Sequence, residues 1–152
     1  MLWSGDAKLA EIGSKKSANA SVHKDTGWPL PNVHIGVSAE DQATANTRIP
    51  LLLQTPAAVR WVSYEPALGP INFTEAMAGL EGLDWVVAGG ESGKGARGHN
   101  ADWFRNARDE CVEKNIRFLF KQWGAFDEHG ERVGKHKSGR LLDGRTWDEY
   151  PV

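Results

Sequence analysis

The 152 residues make one ordinary domain, and 40% hydrophobic with 25% charged residues is a globular balance that excludes a disordered chain. A net charge of -2 excludes a basic field over the whole surface, the usual mark of a general nucleic-acid binder. One cysteine, Cys111, excludes an intrachain disulfide and any metal site or iron–sulfur cluster built from cysteines alone.

Residues 1–31 read as an irregular or loosely helical lead-in, with Ser14, Lys15, Lys16, Ser17, Asn19 and Ser21 polar or small. The first ten residues are too polar for the apolar core of a signal peptide, and no apolar run has the length to cross a membrane. The compartment expected is therefore the cytoplasm. Trp28-Pro29-Leu30-Pro31 predicts an extended approach, because proline restrains the residue before it.

Four short apolar runs then predict strands: 33–37 (VHIGV), 59–63 (VRWVS), 83–88 (LDWVVA) and 116–120 (IRFLF), all rich in β-branched or aromatic residues. Helices are expected between them. One spans about 41–53, with Pro50 breaking or kinking it. A short one starts near Thr74 as N-cap. Another spans about 101–114 behind Asn100, with Phe104, Ala107 and Cys111 on one apolar face. Strand and helix alternating at this spacing predict an α/β fold of parallel βα units. The division expected is a lead-in (1–31), a βα domain (32–126) and a polar, glycine-dotted tail (127–152) with a short hairpin near His129-Gly130. Seven tryptophans are many for this length, and packing is their first expected role.

Ligands of parallel α/β folds sit beyond the carboxyl ends of the strands, which directs attention to four short segments. After the first strand come Ser38, Glu40 and Asp41; after the second, Ser63, Tyr64 and Glu65. After the third comes Gly89-Gly90-Glu91-Ser92-Gly93, with Arg97 just beyond; after the fourth come Lys121, Gln122 and Trp123. Every strand thus delivers polar groups to one rim, and buried polar groups are costly unless paired or used. Glu65, Glu91 and Lys121 are the candidates for catalysis. Two neighbouring carboxylates can share a proton or bind a cation; the plainer alternative is an ion pair with Lys121. Ser38, Glu40, Gly89, Gly90, Ser92, Gly93, Arg97, Gln122 and Trp123 are the ligand-binding candidates. The glycines allow backbone amides to approach an anion; the plainer alternative is a tight βα turn. The turn matches neither a Walker loop nor a dinucleotide fingerprint.

Histidines 23, 34, 99, 129 and 136 form no metal-binding pair, so no metal is expected. Cys111 reads as a small core residue. Arg132, Lys135, His136, Lys137, Arg140 and Arg145, beside Trp147 and Tyr150, offer a modest basic cluster for nucleic acid, against the plainer reading of a solvated tail.

Several longer motifs occur together: LPNVHIGVS at 30–38, RIPLL at 48–52, SYEPALGP at 63–70, WVVAGGESG at 85–93, RDEC at 108–111, FKQWG at 120–124 and GRLLDGR at 139–145. Together, over about residues 29–151, they resemble the phage "gene product thirty-seven / sixty-eight" family, a domain of unknown function that looks radical-SAM-like. The resemblance implies a partial TIM-like barrel of parallel βα units, here its later half, without the N-terminal cysteine motif for a four-iron cluster. It implies no cofactor in the isolated chain, with S-adenosylmethionine entering by analogy alone. The expected activity is that of a ligand- or protein-binding module. The alternatives are a subunit of a split radical-SAM enzyme, an acid–base enzyme using Glu65 and Glu91, or a nucleic-acid contact through the tail.

Four parallel strands leave two open edges and one uncovered face. Residues 1–30, a second copy or a separate chain completing the half-barrel can cover them, and association is the expectation. A host protein is a further candidate partner; a membrane is not.

Overall fold

A computed structural model describes residues 27–151. Most of the lead-in assigned above therefore lies outside the described residues. The chain alternates β1 (His34–Ser38), α1 (Gln42–Leu53), β2 (Val59–Tyr64), α2 (Phe73–Ala76), β3 (Trp85–Gly89), α3 (Ala101–Glu113), β4 (Arg117–Gln122) and α4 (Lys135–Ser138). The four strands form an all-parallel sheet in the order β1-β2-β3-β4, open rather than closed into a barrel. The expected α/β class and parallel βα units are what the fold shows. Sequential order with a helix in each crossover is the arrangement that a right-handed βαβ connection produces.

Period-two alternation sorts each strand into two faces. Val62, Tyr64, Val86, Ala88, Phe118 and Phe120 point one way and are wholly buried. They share one core with Ala45, Ile49 and Leu52 of α1, Phe73 of α2, and Phe104, Ala107 and Cys111 of α3. The helices therefore cover a single face. Burial pushes the Cys111 thiol far above its usual range, as befits a core residue.

Local chemistry sets the helix ends. Asp41 and Thr44 make a reciprocal capping box at α1, contributing about 1 kcal/mol. The expected break at Pro50 does not occur, and α1 runs on to Leu53. Only one ladder bond is forfeited there, and the burial of Ile49, Leu52 and Leu53 on either side offsets it. The short helix α2 starts two residues before the expected Thr74, because Asn72 accepts from the Glu75 amide and caps it. Asn100 caps α3 as expected, and Asn115, with φ +55°, ends it in the left-handed region that asparagine tolerates. The 28–31 approach is not extended throughout, since the Val33 amide donates to the Leu30 carbonyl and closes a turn.

The tail is exposed along most of its length and is anchored to the domain at a few points. Residues 126–132 form the expected hairpin, bridging Phe126 to Arg132 around a turn at 127–130. Leu142 is fully buried, and Trp147 packs against Phe118 at 6.1 Å. Residues 147–149 then lie antiparallel along β4: the Phe120 amide donates to the Trp147 carbonyl and the Glu149 amide to the Phe118 carbonyl. The Glu149 carboxylate accepts from the Phe118 amide at 3.0 Å. The outer edge of the sheet at β4 is thereby paired.

Candidate functional site

All four strands run the same way, so their carboxyl ends meet at one rim. The register places the rim and the uncovered face in rows. Ser38 aligns with Ser63, Val87 and Leu119, and below them Gly36 aligns with Trp61, Trp85 and Arg117. The Trp61 indole lies against Gly36, where any side chain would overlap it. Trp61, Trp85 and the 59% exposed Tyr150 stand in line with successive ring centres 5.6 Å apart.

Above these rows lies a polar cluster built around Glu65. Its Oε2 accepts from Lys121 Nζ at 2.9 Å and its Oε1 from Gln122 Nε2 at 3.2 Å. Gln122 Nε2 also reaches the Ser92 hydroxyl at 3.2 Å. Lys121 and Gln122 from β4 thus meet the carboxylate of Glu65 after β2, and Gln122 links that pair to Ser92 after β3. A bulge between Ala88 and Gly89 brings them together, because Gly89 aligns with Gln122 instead of Lys121, so two successive β4 side chains serve the same group. Gly89 packs beneath the Glu65 carboxyl, 3.2 Å from where its own Cβ would stand. The peptide between Glu65 and Pro66 is cis.

Glu91 is held separately. It accepts from the Arg97 backbone amide at 2.7 Å and from the Arg97 guanidinium at 2.8 and 2.7 Å. These bonds draw its pKa down to about 2 and raise that of Arg97. Each of the two carboxylates has its own cation, so neither depends on the other for a proton or a counter-charge. The plainer alternative for Lys121, an ion pair with a glutamate, is the observed geometry.

The glycine turn serves backbone packing. The Gly90 amide donates to the Gln122 carbonyl, and a Cβ at Gly90 would overlap the Trp123 carbonyl oxygen. Gly124, at φ +86°, approaches Gly90 from the other side. The ends of β3 and β4 touch main chain to main chain. Gly93 sits in the loop that follows, which Arg132 of the tail ties down by donating to the carbonyls of Gly93, Lys94 and Ala96.

Trp123 is 2% exposed, its indole donates to the Leu141 carbonyl, and it packs between Phe104, Phe120 and His99. It stands in the core, away from the rim. At the β1 end, Glu40 pairs with Arg48 at 3.1 Å, and Arg48 also donates to the Ser38 carbonyl at 2.8 Å. Sequence reasoning passed over Arg48, although its place seven residues after Asp41, two turns along α1, brings it back over the rim. It also passed over the in-line aromatics, which period-two counting through VRWVS and LDWVVA would have put on one face.

His99 is a further surprise. It stacks on Trp123 at 5.4 Å, meets Phe104 and Phe126 edge-on, and both ring nitrogens are buried without a hydrogen-bond partner among the described residues. Burial lowers its pKa, and the nearby Asp127 opposes this without reaching either nitrogen at bonding geometry. Among the described residues, no group of three or more metal-ligating side chains comes together. Among the same residues, no helix is long and apolar enough to cross a membrane. In the tail, Arg140 pairs with Asp148 and Arg145 lies over the Trp147 ring at 3.8 Å, so part of the basic cluster is engaged within the chain.

A family model described as "Protein of unknown function (DUF5131)" matches residues 7–151. The chain belongs to that family. The DUF5131 match takes in every strand, the rim and the tail as far as Pro151. No curated protein and no solved structure matches the chain.

Proposed function

We propose that this DUF5131 protein is a binding module that takes a small anionic or nucleotide-like ligand at the rim where its strands end. The observation that carries this reading is the cluster in which Lys121 and Gln122 of β4, with Ser92 of the β3 loop, gather around Glu65. Lys121 is half exposed on one side of its ion pair, so its ammonium can serve an incoming anion while Glu65 fixes its position. The hydroxyl row of Ser38 and Ser63 and the aromatic row beneath it add hydrogen-bonding and stacking partners along the same face.

In this proposal the chain corresponds to the later half of a phage-borne, radical-SAM-like protein, on the strength of the motif resemblance. Its own residues do not fit an iron–sulfur cluster: one cysteine cannot supply the thiolates, and Cys111 is buried in α3. Redox chemistry would thus need ligands from outside these 152 residues. Glu91, held ionised by Arg97, is poorly suited to carry a proton near neutrality, which favours binding over acid–base catalysis.

Titration calorimetry with inorganic phosphate, ATP and S-adenosylmethionine tests the reading. Saturable binding of at least one probe is expected, weakened tenfold or more in Lys121→Ala and in Glu65→Gln. No binding of any of the three at millimolar concentration, or binding indifferent to both substitutions, would overturn it.

A further inference from the structure

The two outer edges of the sheet are treated differently. The β4 edge is paired by residues 147–149, whereas the β1 edge has no strand partner among the described residues. The Ala39 amide donates inward to Ser63, so by alternation the main-chain groups of His34, Gly36 and Ser38 point outward. Arg48 occupies the Ser38 carbonyl. The outward groups of β4 belong to Phe118 and Phe120, and these are the ones the tail takes. The edges match in length and direction, with five residues in β1 and six in β4 running parallel within one sheet.

We infer that the β4 edge is a docking surface for the β1 edge of a second copy, and that residues 147–149 are the built-in strand that blocks it. A two-fold axis along the strands would let β4 of each copy pair in parallel with β1 of the other, closing eight parallel strands into a ring. Eight is the number at which a parallel sheet closes with its interior filled by side chains. The interior would be the face the helices leave free, carrying the partly exposed Trp61, Trp85 and Val87 and the buried Leu119, with Tyr150 of the tail lying against Trp85. Large aromatics present about 150–250 Å² each. Trp61, Trp85, Val59 and Val87 are each partly buried already, so with the strand edges they give on the order of a few hundred Å² per copy toward the roughly 800 Å² per partner that a specific interface buries. Copies pairing β1 to β1 across a two-fold would instead run antiparallel and leave this face open. The block is slender: two main-chain bonds and the Glu149 carboxylate hold residues 147–149 to β4. Edge-blocking segments of this kind are a recognised way to keep sheets apart.

The test is light scattering on the full chain and two variants. Glu149→Pro removes the amide that bonds Phe118 and the carboxylate that caps it, while Trp147 and Tyr150 stay. A chain ended at Asp148 does the same by deletion. The full chain should be a monomer of 16.7 kDa, and both variants should double in mass at about 100 µM. Adding His34→Pro and Ser38→Pro, which remove two outward donors from β1, should return Glu149→Pro to a monomer. Hydrogen exchange at the Phe118 and Phe120 amides reports whether the edge is open. Variants that exchange there quickly yet stay monomeric overturn the inference. So does a full chain that is already a dimer whose mass is unchanged by the β1 prolines, and so do two variants that both stay monomeric.

Discussion

Replacing Gly90 by alanine should cost far more than one methyl group suggests. The new Cβ would overlap the Trp123 carbonyl oxygen and approach the Trp123 carbonyl carbon to 2.7 Å and His99 Nδ1 to 3.0 Å. Two of these atoms are main chain and cannot swing aside as the end of a flexible side chain would. Overpacking at a rigid site costs about 1–3 kcal/mol. Moving β3 away from β4 also strains the bond from the Gly90 amide to the Gln122 carbonyl, which contributes about 0.5–1.5 kcal/mol. The expected loss is about 3 kcal/mol. With a urea slope of about 1.5 kcal/mol/M, the midpoint should fall by about 2 M. Gly95 is the control: it lies five residues on, in the same loop, with nothing within 4 Å of its Cβ position. Gly95→Ala should change stability by less than about 0.5 kcal/mol. Urea unfolding followed by circular dichroism measures both. A Gly90→Ala midpoint within 0.3 M of the parent, or an equal loss in Gly95→Ala, would refute the claim that the turn exists to let the two strand ends touch.

Burial lowers the His99 pKa, so the unfolded chain binds more protons than the folded one just below about pH 6.5. Stability should therefore be complete above that pH and fall as the pH drops toward the folded value; thermal melts from pH 8 to 5 should show the decline, and His99→Phe should flatten it. Leu142→Ala empties a fully buried position and should cost about 2–5 kcal/mol, whereas Leu141→Ala, at a half-exposed neighbour, should cost under about 1 kcal/mol by denaturant titration. Asn100→Ala deprives the Asp102 amide of its acceptor and should cost about 1 kcal/mol, read as an earlier melt of α3 in helix-band circular dichroism.

The strands were legible because VHIGV, VRWVS, LDWVVA and IRFLF concentrate β-branched and aromatic residues in short runs, and the ends of each lie within two residues of expectation. The α3 helix was legible from Phe104, Ala107 and Cys111 at helical spacing. The start of α2 was not, because Asn72 and Thr74 are both competent caps and only the packing of Phe73 chooses between them. The anchors of the tail were hidden for a different reason. Leu142, next to Leu141, and Trp147 are brief apolar interruptions of a polar stretch, and periodicity registers longer runs, not isolated anchors. At the rim, the gathering of Glu65 with Lys121 followed from strand order alone. The pairing of Glu91 with Arg97 depends on how a six-residue loop folds back, and no spacing rule encodes that. Trp123 follows Gln122 directly, yet the chain turns at Gly124 and carries its ring into the core.

The guanidinium of Arg132 spans three carbonyls of the segment that follows Gly93. A residue from the last quarter of the chain therefore fastens one wall of the rim, whereas the wall after Ser38 is fastened by earlier residues, with the Leu68 and Gly69 amides on the Glu40 carbonyl and Arg48 on the Ser38 carbonyl. The β3 side of the mouth depends on the fold of the tail, and the β1 side does not. Selection for a new ligand would find its first useful changes around the Glu40–Arg48 pair, where a side-chain change leaves the tail in place, and would leave the glycine turn alone.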